Sequence, residues 1–152
     1  MKILVTGFEP FGGESRNPSM ELVRFLPGEI GGAEIVTAIL PVTGRGSVDA
    51  VTAAIRDSAP DVVLSIGQAG GRAAVTVERV AVNVDDFRIP DNNGDQPVDA
   101  PIAADGPDAY LCRLPVRVMV EAMRAAGVPA EISNSAGTYV CNHLMYSVAH
   151  LL

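Results

Sequence analysis

The sequence has one lysine, Lys2, and no tryptophan, and only two cysteines in 152 residues. Its ten arginines are scattered singly, so no basic patch exists to displace the counterions of a nucleic acid. A nucleic-acid partner is therefore not expected. With 11 basic against 18 acidic residues the net charge is −7, a balance that favours solubility. No apolar run reaches the roughly 20 residues of a membrane span, so no membrane partner is expected. Met1–Thr6 is apolar apart from Lys2, but Gly7-Phe8-Glu9-Pro10 cuts it too short for a secretory h-region. Two cysteines without an export signal predict a reducing, cytoplasmic setting rather than a disulfide framework. Two histidines and two cysteines at no ligand-like spacing predict neither a metal site nor a cofactor. Asn17-Pro18-Ser19 fails as a glycosylation acceptor because proline fills the middle position.

What is present is a core-forming composition, 48% hydrophobic and 19% charged, as in globular domains. Strand-length apolar runs alternate with helical periodicity. Strands are predicted at 2–6, 34–40, 61–66 and 130–134, and a further alternating strand at 74–83. Helices are predicted from Pro18 to about Phe25 with Asn17 as N-cap, from a Ser47 cap to about Asp57, over 115–126, and over 138–152. Residues 85–107, rich in Pro, Asp and Asn, read as one long loop. The alternation predicts a single α/β domain over 1–152, with a largely parallel twisted sheet and helices on both faces.

Such folds build their sites in loops at the carboxyl ends of strands. Three loops stand out. Thr6-Gly7-Phe8-Glu9-Pro10-Phe11-Gly12-Gly13 lacks the Gly-Lys-Ser/Thr of a phosphate loop. Phe8 and Phe11 either wall a small-ligand pocket or tuck into the core. In Val75–Asn83, Glu78 shares a strand face with Val80 and Val82. That carboxylate is either a site residue or a structural partner of Arg72 or Arg79. In Ser133–Asn142, Thr138 is a candidate N-cap that puts Cys141 in the first turn of the last helix. There the dipole and free N–H groups would favour a thiolate and could bind an oxyanion. The alternative is a small buried hydrophobe. Cys112, with no helix start beside it, reads as structural.

At these three loops, together with Asn17-Pro18-Ser19, Gly67-Gln68-Ala69 and Arg88-Ile89-Pro90-Asp91-Asn92, the sequence resembles the pyroglutamyl peptidase I family. The resemblance implies a cysteine peptidase that removes N-terminal pyroglutamate from peptides through a thioester. By position, Cys141 resembles the nucleophile, Glu78 the acid of a Cys–His–Glu triad, and Arg88 a residue that helps at the oxyanion. Phe8, Phe11, Thr43, Ile89, Tyr139 and Val140 resemble the lactam pocket, with Asn17 and Gln68 as polar contributors. A homotetramer acting on pyroglutamylated peptides is implied, with no cofactor. The family's histidine is expected beyond Leu152, so the domain reads as C-terminally incomplete and a chain ending there as nearly inactive. A nucleoside phosphorylase or nucleosidase of related architecture, and an inactive lactam-binding protein, are the competing readings.

Overall fold

The computed structural model describes all residues from Met1 to Leu152. Backbone contacts divide the chain into two compact units, Met1–Gln68 with Phe87–Gln96, and Ala69–Asp86 with Pro97–Leu152. The fold is α/β, and its strands fall into three hydrogen-bonded sheets.

The first unit is built on β1 (Lys2–Phe8), which pairs in parallel with β3 (Ala33–Leu40) on one side and β4 (Val62–Ser65) on the other. The short β2 (Glu29–Ile30) adds an antiparallel edge to β3. Leu4, Val5, Thr6 and Phe8 are all buried, as a central parallel strand demands. Helix α1 (Pro18–Phe25) starts as the sequence predicts: Asn17 Oδ1 accepts from Ser19 N at 3.0 Å, and Pro18 occupies the first position. It lies so close to β1 that a Cβ on Gly7 would come within 2.6 Å of Ser19 O. Only glycine fits there. Helix α2 (Gly44–Ser58) begins earlier than expected. Ser47 does not cap it; its hydroxyl donates to Gly44 O at 2.8 Å inside the first turn. Thr43 holds the cap position without a side-chain bond. The missing acceptor arrives from far away, as Asp91 Oδ2 accepts from Gly44 N at 3.1 Å.

In the second unit, the run predicted as one strand is two: β5 (Val75–Glu78) and β6 (Val80–Val82). β5 pairs in parallel with β8 (Ala130–Ser133), whereas β6 pairs antiparallel with β7 (Ala109–Leu111). Arg79 sits at the change of partner, its N–H donating to Ser133 O and its carbonyl accepting from Cys112 N. Helix α3 (Val116–Ala125) packs on β8 and β5. Helix α4 (Val140–Leu151) is anchored by Val140, Leu144 and Tyr146, each at most 1% exposed. The 85–107 segment has no helix or strand, but an isolated bridge joins Asp85 to Ala100. No helix is long and apolar enough to cross a membrane.

Candidate active site

Because β1, β3 and β4 are parallel, their carboxyl ends share one edge of the first unit. That edge leads into Phe8 to Phe11, Thr43 and Gln68. Phe8 is 3% exposed and belongs to the core, whereas Phe11 is half-buried. Asn17 and Ser19 fix this loop: Ser19 Oγ accepts from Phe8 N at 2.9 Å, and Asn17 Nδ2 donates to Glu9 O at 3.0 Å. Segment 88–96 lies over the same edge. Asn92 donates through its backbone to Val42 O and through Nδ2 to Glu9 Oε1 and Pro10 O. The Cδ1 of Ile89 approaches Gly12. Asp91, 7% exposed, clamps the segment by also accepting from Asn93 N and Asp95 N. Arg88 is exposed, and Gln68 Oε1 is buried without a hydrogen-bond partner.

The second unit holds Cys141 and Glu78. Thr138 is not the N-cap of α4; Tyr139 is, without a capping bond. The Thr138 hydroxyl instead donates to Asp86 O at 2.8 Å. Cys141 nevertheless stands second in the helix. The bond from His143 N to Tyr139 O closes the first turn, so the N–H groups of Val140, Cys141 and Asn142 precede the helical ladder. Asn142, fully buried, accepts from Val82 N at 3.0 Å and donates to Val82 O and Val84 O. This satisfied amide fixes the rotation of the helix about its axis.

Glu78 ends β5 directly opposite Ser133 of β8. Its Oε1 accepts from Arg72 Nη1 at 2.7 Å, while Oε2 is buried and unpartnered. The Arg72 pairing foreseen as structural therefore exists, and it leaves one carboxylate oxygen open. Burial first, and the charge of Glu78 second, push the half-buried Cys141 thiol up to about 11. This corrects the expectation of a resting thiolate, because here desolvation outweighs the helix terminus.

Both histidines have partners of their own. His143 Nδ1 lies 2.7 Å from Asp85 Oδ2, and since a carboxylate only accepts, the imidazole donates. His150 Nδ1 meets the Tyr110 hydroxyl at 2.8 Å, and its ring stacks on Tyr146. Asp91 in the first unit and Asp85, Asn142 and Arg72 in the second hold these segments in place, and none is a site residue in the sequence reading. The partners of Asp85 and Asn142 and the Gly44 partner of Asp91 lie 47 to 60 residues away, whereas Arg72 leaves a local signal as a possible partner of Glu78.

Comparison with known proteins gives the family. The model of the pyroglutamyl peptidase family matches residues 1–152. A pyrrolidone-carboxylate peptidase of Alkaliphilus oremlandii is 57% identical over 150 residues, covering 99% of this chain and 70% of that protein. One from Streptococcus pyogenes is 55% identical, covering 100% and 71%. Among solved structures, pyroglutamyl peptidase I of Bacillus amyloliquefaciens superposes with a TM-score of 0.96 at 46% identity, covering 98% of this chain and 73% of that one. The pyrrolidone carboxyl peptidase of Thermococcus litoralis gives 0.95 at 42%, covering 99% and 69%. A whole-length family match, with relatives above half identity, leaves one conclusion: the chain belongs to the pyroglutamyl peptidase family.

Proposed function

We propose that this chain carries the chemistry of a cysteine peptidase that removes N-terminal pyroglutamate from peptides. One observation supports it above the others. A carboxylate with one oxygen tied by Arg72 and the other buried and bare shares a unit with a cysteine at a helix start. A bare carboxylate oxygen is what an orienting acid offers to the N–H of an imidazole.

In this reading a base takes the Cys141 proton as the sulfur attacks the pyroglutamyl carbonyl, because the thiol is neutral at physiological pH. Glu78 Oε2 accepts the second N–H of that imidazole and holds its ring. The N–H groups opening α4 receive the oxyanion. The imidazolium then protonates the departing amine, and water hydrolyses the thioester to release pyroglutamate. In the first unit Phe11, Thr43 and Ile89 offer walls for a neutral ring, backed by the buried Phe8 and with Asn17 and Gln68 as polar neighbours; in the second, Tyr139 and Val140 offer the same character. The unpartnered Gln68 Oε1 is an acceptor suited to the lactam N–H. Thiol acyl transfer of this kind requires neither metal nor organic cofactor. Since His143 and His150 are engaged elsewhere, the reading assigns the base to neither of them. A cytoplasmic homotetramer is part of the same proposal.

A pyroglutamyl chloromethyl ketone tests this directly, because the Cys141 sulfur displaces chloride without needing turnover. Peptide mapping should place the adduct on Cys141 alone, with the prolyl reagent, which lacks the lactam oxygen, reacting about 100-fold more slowly. Equal reaction with both reagents would overturn the substrate assignment. The polypeptide of these 152 residues, with its mass confirmed, should hydrolyse a fluorogenic pyroglutamyl amide only weakly. Turnover matching a longer relative would show that another base serves Cys141. The family assignment removes the nucleoside phosphorylase alternative, and an inactive lactam binder would take up pyroglutamate without forming the adduct.

A further inference from the structure

Arg72 belongs to none of the groups in the proposed reaction, yet it holds one of them from three sides. Its Nη1 donates to Glu78 Oε1 and to Thr76 Oγ1, each at 2.7 Å, and its Nη2 reaches Ser135 O at 3.3 Å. Thr76 and Glu78 lie on β5, two residues apart and therefore on one face. Ser135 belongs to the turn that leads from β8 into α4 and Cys141. A planar, forked guanidinium can serve these acceptors together, which an ammonium cannot do as well. The carboxylate it holds is asymmetric. Oε1 carries Arg72 and a long contact from Thr76 Oγ1 at 3.4 Å, whereas Oε2 is buried with no partner.

A carboxylate does not keep an oxygen buried and bare on its own account, because water offers that oxygen hydrogen bonds. Something must hold the side chain inward. Here that is the guanidinium.

We propose that Arg72 is a positioning residue for the cysteine chemistry, fixing Glu78 with Oε2 turned inward and acting on Cys141 only through Glu78. The proposal rests on the reading of Cys141 and Glu78 given above. Without the fork, Glu78 turns toward water and its charge leaves the neighbourhood of the thiol. The thiol, raised by burial and by Glu78, then becomes easier to ionise.

The test is the iodoacetamide reaction of Cys141, read by peptide mapping at pH 8 on the 152-residue protein, with Cys112 as internal control. Glu78→Gln should speed alkylation of Cys141 about threefold. Arg72→Met should speed it to the same rate, and the double variant should be no faster than either. Cys112 labelling and the circular dichroism melting curve should stay unchanged. If Glu78→Gln leaves the rate unmoved, the reading of Glu78 fails and the proposal with it. If Glu78→Gln accelerates labelling but Arg72→Met does not, or if the two effects add, the role of Arg72 alone is overturned. Parallel acceleration at Cys112 would mean general loosening, and would also overturn it.

Discussion

The start of α4 and the end of β7 each carry a free, half-buried cysteine in the same unit. Their backbones tell Cys141 and Cys112 apart. Cys112 directly follows β7, and its N–H donates to Arg79 O at 2.8 Å, extending the strand pairing. Cys141 stands where a helix begins, ahead of the first helical bond, with the charge of Glu78 reaching its sulfur. What sets Cys141 apart is its unspent backbone donors and its carboxylate neighbour, not an exposed thiol.

The sharpest way to break this contrast is substitution. Cys141→Ser should abolish covalent capture of a pyroglutamyl chloromethyl ketone, while Cys112→Ser should leave its rate within about twofold. Capture that survives Cys141→Ser would assign the reactive group elsewhere. Next in size is the pH dependence. With its thiol raised to about 11, Cys141 should be alkylated about tenfold faster per pH unit from pH 7 to 10, as the thiolate fraction grows. A plateau by pH 8 would show that the fold does not raise the thiol. The smallest effect concerns the anchor beside Cys141. Asn142→Ala strands Val82 N, Val82 O and Val84 O in a buried setting, and should cost about 2–4 kcal/mol in urea unfolding. A loss below about 1 kcal/mol would mean that the start of α4 is held by other contacts.

Much of this was legible in the sequence because local rules govern it. The Asn17-Pro18 helix start is where the cap chemistry places it, and β1, β3 and β4 fall within two residues of their predicted limits. What escaped is non-local. Period-two alternation over 74–83 cannot reveal that the chain changes partners at Arg79, since both halves keep the same pattern. The two- and three-residue strands β2 and β7 are too short to show a period. Thr138 looks like a cap by type, but its hydroxyl bonds to Asp86 O, 52 residues away. Cys141 and Glu78 stand out in the sequence as candidates by residue type and position. The thiol's protonation does not, because desolvation is a property of the packed chain.

The Asp91 clamp on α2 also bears on how the molecule is made. The first turn of α2 receives its acceptor from a residue 47 positions downstream. During synthesis, residues 44–58 leave the ribosome well before residue 91 does, at roughly 5–20 residues per second. For those seconds α2 has a frayed beginning, with no side chain on its free N–H groups. The same arrival of Asp91 that completes the helix brings Ile89 and Asn92 onto the loop after β1. Helix completion and assembly of that edge are thus one folding event, and an insertion within 88–95 would delay both, whereas one within 101–105 would leave the clamp untouched.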